Sequence, residues 1–202
     1  TINLTSLGAN TVDMTLITGV EELKTTGSTG TVTVTNAADA SMALGFAGST
    51  TNTISATYTA DALSGSADAL TVNLDTATGA DLTVNAGYES ATVNVTGTSS
   101  LTDLNAPGVT AVTIAGTGAL TLADNALDGF TGITVTDTAA ISTGAMTGVK
   151  TFVATENTGG IIDADVSSTT GFSDTNTIVG DTTGLSFLSG AGNDNVSITD
   201  AA

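Results

Sequence analysis

Residues 70–97 read LTVNLDTATGADLTVNAGYESATVNVTG. Two strand-like pieces, LTVNL (70–74) and ATVNV (91–95), lie 21 residues apart, with LTVNA (82–86) between them. Apolar and polar residues alternate in each piece, which is the period at which successive side chains of a β-strand take opposite faces. The connecting pieces carry the Gly, Asp and Asn that turns require.

The same cadence continues toward the C-terminus as VTI (112–114) and ITV (133–135). It puts Thr71, Thr92, Thr113 and Thr134 on one face, and Val72, Val93, Ile114 and Val135 on the other. A second series runs between them: LTVNA (82–86), LTDLN (101–105), LTLAD (120–124), IST (141–143) and IIDADV (161–166), at steps of 19 to 21 residues. Two in-phase strands every ~20 residues describe an all-β, parallel β-solenoid, because one such coil cannot bury its own apolar face and must stack on others. A β-sandwich is the structural rival, but it gives no steady step with constant phase over four copies. The N-terminal third, before LTVNL, is less regular. TGTVTVTNAAD (29–39) and TNTISATYTAD (51–61) end alike, at Asp39 and Asp61, so coils are expected there too, while SMALGF (41–46) and DALSGSADAL (61–70) are read as short helices. The one proline, Pro107, falls in a connection.

Composition narrows the function. Of 202 residues, 20 are acidic, only Lys24 and Lys150 are basic, and the net charge is -18. Nucleic acid is excluded as a partner, since phosphate contacts need Lys or Arg, and divalent cations are favoured. No apolar run is long enough to cross a membrane as a helix, so no membrane insertion is expected. The core must be filled by Val, Ile, Leu and Ala, because aromatic residues make up only 3%. Cysteine is absent, which does not by itself fix the compartment. The start at Thr1, with no leader segment, reads as a piece of a longer protein.

Near the end, LSGAGNDNVSIT (188–199) introduces a second cadence. Ile178, Phe187 and Val196 lie nine residues apart, and SGAGNDNVS (189–197) fits the calcium β-roll repeat G-G-x-G-x-D-x-U-x except at Ser189. Calcium takes six to eight oxygens from carboxylates and carbonyls. Asp194 is the candidate carboxylate ligand, with the carbonyls of Gly190 and Gly192 and the neighbouring Asn193. A β-roll metal sits between turns on the same side of the roll, two repeats apart, which brings in Asn176 and Asp174 from GFSDTN (171–176). The expected organisation is therefore a solenoid over residues 1–170 and the start of a calcium-binding β-roll over 171–202.

Three blocks, GVEELKTTGSTGTVTVTNA (19–37), APGVTAVTIAGTGALTLADNALDGFTGITVTDTAA (106–140) and LSGAGNDNVSI (188–198), resemble crystalline surface-layer (S-layer) proteins of the RTX type, exported by Gram-negative bacteria through type I secretion. The resemblance covers most of the chain in style and is specific in the block 106–140 and the final turn. It implies an extracellular cell-surface location, calcium as cofactor, and self-association into a two-dimensional lattice. It also implies anchoring to lipopolysaccharide and a secretion signal, both through regions outside this sequence.

Three other classes compete. A polysaccharide-acting β-helix lyase needs a basic residue to take a proton, and neither lysine sits in a motif; a hydrolase needs paired carboxylates, for which Asp163 and Asp165 are the candidates, with Glu156, Asp124 and Asp128 uncommitted. The reading is that the chain is not an enzyme. An ice-binding threonine array is disfavoured because only TVTVT (31–35) places several threonines on one strand face, with no repetition expected in neighbouring coils. The stalk of a type I-secreted adhesin remains the main alternative, since it uses the same solenoid as a spacer.

Overall fold

The computed structural model describes residues 1–136, 139–146, 148–149 and 151–153 with their side chains, and the backbones of strands 162–165, 175–180, 186–188 and 195–200. Among the described residues there are nineteen strands and no helix. The first eight are β1 (Ile2–Leu4), β2 (Asn10–Asp13), β3 (Glu22–Thr26), β4 (Thr31–Ala37), β5 (Ala43–Ala47), β6 (Thr53–Tyr58), β7 (Ala69–Asp75) and β8 (Ala80–Val84). Next come β9 (Ser90–Thr96), β10 (Thr98–Asn105), β11 (Ala111–Gly116), β12 (Ala119–Leu122), β13 (Gly132–Val135), β14 (Ala140–Ala145) and β15 (Thr151–Val153). The last are β16 (Ile162–Asp165), β17 (Thr175–Gly180), β18 (Ser186–Leu188) and β19 (Asn195–Asp200).

Odd strands β1 to β15 form one parallel sheet in chain order, and even strands β2 to β18 form the other. Each coil from β1 and β2 to β15 and β16 thus gives one strand to each sheet, β17 and β19 pair in a two-stranded sheet of their own, and the chain is an all-β parallel solenoid. Val72, Val93, Ile114 and Val135 stand in register and are fully buried, as the alternation requires. Thr71, Thr92, Thr113 and Thr134 form the half-buried column on the outer side. In the other sheet Val32 pairs with Ile54 and Val34 with Ala56, so the echo between the two N-terminal blocks is a true coil step. One continuous core runs between the sheets, from Met14 and Leu23 to Val149 and Phe152.

The structure corrects three sequence expectations. SMALGF is not helical: Met42 to Phe46 are all buried and Ala43–Ala47 is strand β5. Its polar alternation is hidden because Gly45 faces outward under a neighbour's side chains. A Cβ at Gly45 would lie 3.0 Å from Glu22 Oε1 and 3.0 Å from Lys24 Cγ. DALSGSADAL is a turn-rich loop leading into β7, not a helix. The second series has a different phase from the leucine matching. Leu104, not Leu101, pairs with Leu82, and Leu101 pairs with Leu122, because the register shifts between Leu101 and Asp103.

A buried hydroxyl ladder fastens one corner. The Ser6 N–H donates to Ser28 Oγ at 2.9 Å, and the Ser28 N–H donates to Ser49 Oγ at 3.1 Å. The pattern resumes where the Ala77 N–H donates to Ser99 Oγ at 3.2 Å. Ser28 Oγ in turn donates to Leu4 O at 3.3 Å. These serines are 0–2% exposed, and the hydroxyls of Ser28, Ser49 and Ser99 replace solvent for corner amides that the strand ladder leaves unpaired.

Leu44 stands opposite Val72, and Val72 opposite Val93, so the coil that leads into β7 is longer than the one after it. The surplus is expelled as the loop 59–68 without shifting the ladder. Tyr58 and Tyr88 close its base edge to face, with ring centroids 5.4 Å apart at 88°. Their hydroxyls donate to Met42 O and Ala40 O, each at 3.3 Å. Asn85 accepts the Tyr58 N–H at 2.8 Å and donates to Tyr58 O at 3.3 Å, standing in for a ladder partner.

Close packing at the corners leaves no room for a methyl group at some positions. A Cβ at Gly118 would collide with the carbonyl oxygen of Gly97 in the preceding coil. Gly118→Ala is expected to cost about 1–3 kcal/mol or more by overpacking. Ser28→Ala strands the buried Ser6 amide and should cost about 1–3 kcal/mol. Urea unfolding of both variants against the parent chain measures these losses, and Thr92→Ala on the outer face serves as the near-neutral control.

Candidate functional site

Asp194, Gly190, Gly192, Asn193 and Asp174 lie outside the described residues. Asn176 lies within β17, where its backbone pairs with Val196 of β19. That register corrects the expected spacing. Ile178 stands opposite Ile198, so β17 and β19 pair at a longer step than the two nine-residue repeats of a regular β-roll. Phe187 pairs instead with Ala164 in the long sheet. Ile178, Phe187 and Val196 are therefore not register partners of one another, and their nine-residue spacing does not set the strand pairing here. Asp163 and Asp165 both fall within β16, opposite Ser186 and Leu188; Glu156 and Lys150 lie outside the described residues.

Among the described residues no group of three or more acidic side chains is arranged to hold a metal ion. One like-charge pairing stands out there: Asp81 beside Asp103, in register on β8 and β10. Partial burial of Asp103 raises its carboxyl above the ordinary value, with the charges of Asp81 and then Asp128 adding to the rise and a hydrogen bond from the Leu104 backbone opposing it. Thr53 Oγ1 donates to Asp81 Oδ2 at 3.4 Å and carries the same outward column one coil further. Sequence reading missed this pair because the register shift in β10, not sequence spacing, brings Asp103 opposite Asp81. Asp124, which sequence reading left uncommitted, serves a turn: its Oδ1 accepts the Ala145 N–H at 2.9 Å.

Elsewhere on the described outer faces hydroxyls and amides make many of the hydrogen bonds. Asn73 Nδ2 donates to Glu22 Oε1 at 2.8 Å, passing over Gly45, and Asn94 Nδ2 donates to Asn73 Oδ1 at 3.0 Å. Lys24 lies 3.9 Å from Glu22, a surface pair of little energetic weight. On the other sheet Thr11, Thr33, Ser55 and Thr83 stand in one column and Thr31 pairs with Thr53. β6 echoes the hydroxyls of TVTVT as Thr53 and Ser55, whereas β2 and β8 each pair one threonine and one aspartate with these columns (Thr11 and Asp13, Thr83 and Asp81), so the face of several threonines does not recur along the sheet. Asp13 accepts from Asn36 Nδ2 at 3.0 Å, Thr15 Oγ1 at 2.6 Å and the Thr15 N–H at 3.0 Å. These bonds, Asn36 first, hold its carboxyl down to about 2. A cavity of about 250 Å³ lies beside it, lined in part by Met14, Ile17, Val20, Ala37 and Met42.

Two carboxylates thus pull stability in opposite directions with pH. Asp13 is depressed in the fold, so its contribution is complete above its ordinary 3.8 and is lost as the pH falls through about 2. Asp103 is raised, so its ionisation works against the fold, and stability drops as the pH rises through its folded pKa. Asp103→Asn is expected to raise the melting temperature at pH 7, with the gain disappearing at a pH where the parent Asp103 is protonated. Asn36→Ala should move the Asp13 titration upward, read by NMR.

No protein-family model, curated protein or solved structure matches this chain.

Proposed function

We propose that this chain is a structural segment of a secreted bacterial surface-layer protein, stiffened by calcium and contributing to a two-dimensional lattice on the cell exterior. The observation that carries the reading is the stack of parallel coils running from β1 to β16. A fold built by repetition, with hydroxyl and amide columns on its outer faces, is suited to spanning distance and presenting repeated surfaces. The charge of -18 suits a chain that works with divalent cations. The SGAGNDNVS turn supplies the candidate calcium ligands, with Asp194 as the main carboxylate and the carbonyls of Gly190 and Gly192 beside it. Asn193, Asn176 and Asp174 complete that proposed set. In this reading the role is mechanical and catalysis has no part; lipopolysaccharide is met through other regions of a longer protein.

The stalk of a type I-secreted adhesin is the second reading, favoured by the same extended solenoid. The two differ in association, because a lattice needs self-complementary contacts that repeat in two dimensions.

Calcium that binds only the folded state raises stability by roughly 2.7 kcal/mol at a hundred times its dissociation constant. Thermal unfolding by circular dichroism, in excess EGTA and then in millimolar calcium with light scattering alongside, tests the proposal. A higher melting temperature with growing scattering is the expected result. A shift without scattering favours the stalk, and no shift overturns the calcium reading. Asp194→Ala should weaken calcium affinity in a direct titration; an unchanged affinity removes Asp194 as a ligand.

A further inference from the structure

Three side chains of complementary chemistry meet over Gly45. The outward column of the odd sheet runs Asn3, Lys24, Gly45, Asn73, Asn94. Gly45 lies outside the left-handed region, so its backbone does not call for glycine. Space does: a Cβ there would lie 3.0 Å from Glu22 Oε1 and 3.0 Å from Lys24 Cγ. Lys24 Cγ is nearer that point than Lys24 Cβ, at 3.2 Å, so the stem leans over Gly45, on the side of Asn73 rather than of Asn3.

Asn73 Nδ2 donates to Glu22 Oε1 at 2.8 Å, and Lys24 Nζ lies 3.9 Å from Glu22 Oε2. One carboxylate thus holds the amide nitrogen of Asn73 and faces the ammonium of Lys24. From the next coil Asn94 Nδ2 donates to Asn73 Oδ1 at 3.0 Å. The Lys24 and Glu22 side chains are 32% and 19% exposed, so solvent reaches only part of the group. Lys24 and Asn73 stand two strand spacings apart, ~10 Å. A lysine stem and an asparagine side chain cover that distance together when the residue between them is glycine.

These are the parts of an acyl transfer: a nucleophile, an acid–base group, an electrophilic carbonyl and a donor to its oxygen. We propose that Lys24 and Asn73 form an intramolecular isopeptide bond, with Glu22 as the acid–base catalyst. Rotation of the flexible lysine stem closes the 3.9 Å approach to proton-transfer distance, and Glu22 takes a proton from the ammonium. The free amine attacks Asn73 Cγ, and Asn94 stabilises the negative charge that develops on Oδ1. Glu22 returns its proton to Nδ2, and the Cγ–Nδ2 bond breaks. The nitrogen leaves as ammonium, carrying off the second proton of Nζ. One ammonium and one primary amide become one secondary amide and one ammonium ion, so atoms and charge balance without a co-reactant. The bond clamps β3 to β7 across β5 and fastens the coil whose connection carries the loop 59–68. It stands independently of the calcium and surface-layer readings.

Mass spectrometry of the full chain, folded and aged at neutral pH, tests this. The expected result is a mass lower than that of the sequence by one ammonia. Cleavage before each aspartate should then release peptides 13–38 and 68–74 joined through Lys24 and Asn73. Glu22→Gln should slow the linkage about a hundredfold or more. Lys24→Arg keeps the charge and should abolish it. Both positions are on the outer face, and circular dichroism of each variant should match the parent. Full sequence mass after ageing, or an ammonia loss without joined peptides, would overturn the proposal. So would Lys24 joined to peptide 1–12, which holds Asn3, or a Glu22→Gln chain that links at the parent rate.

Discussion

A coil folded into two short strands has no interior of its own. Its inward side chains touch the opposite strand on one side and leave their flanks to the coils above and below. Everything regular about this protein follows from that shortage. The inward set must return at the same height in each coil, so Val72, Val93, Ile114 and Val135 occupy one column, and each is sealed by the next. The corners must close at one radius, which is why Gly118 sits against the carbonyl of Gly97 and why buried serines take the amides that the strands cannot pair. Extra chain in a connection is tolerable if it leaves the stack sideways, as the loop 59–68 does; a single slip within a strand is not, because it turns the inward set out.

Stacking in register also brings like side chains together at the ~4.8 Å spacing of neighbouring strands. For a chain with 20 acids and two lysines this is the main electrostatic problem. Most outward columns avoid it by using hydroxyls and amides: Thr over Thr, Asn73 over Asn94, and Glu22 bonded to Asn73. Asp13, at the end of β2, and Asp39, just after β4, accept hydrogen bonds that lower both carboxyls. Among the described residues Asp81 beside Asp103 is the exception: partial burial, and then the Asp81 charge, raises the Asp103 carboxyl.

Sequence reading found the fold where polarity and geometry agree. The column of Val72 and the column of Thr71 were legible because strand after strand presents one apolar and one polar face. It went astray where a small residue hid the alternation. Gly45 and Ala43 lie on the outer side of β5 but are covered by neighbours, so SMALGF reads as uniformly buried and its period is lost. In β10 the inward positions are Ser99, Leu101 and Leu104, a buried hydroxyl followed by a register shift, and matching leucines by eye sets the coil out of phase. The serine ladder left a signal in the even spacing of Ser6, Ser28 and Ser49, but serine carries no polarity label that says inside. The candidate calcium turn could be read only as a motif. The pairing of Ile178 with Ile198 shows that a nine-residue sequence cadence and the strand register are separate quantities.

The direction of the strands has a mechanical consequence. They run across the solenoid axis, so a pull along that axis loads the ladder hydrogen bonds one row at a time rather than all together. Each coil that yields frees the whole stretch between partners such as Val72 and Val93. That is about 70 Å of chain at roughly 3.3 Å per residue, in place of the ~4.8 Å it occupied in the stack. The unlinked chain is therefore a store of length, released in nearly equal increments, with the coil that carries the loop 59–68 as a longer step.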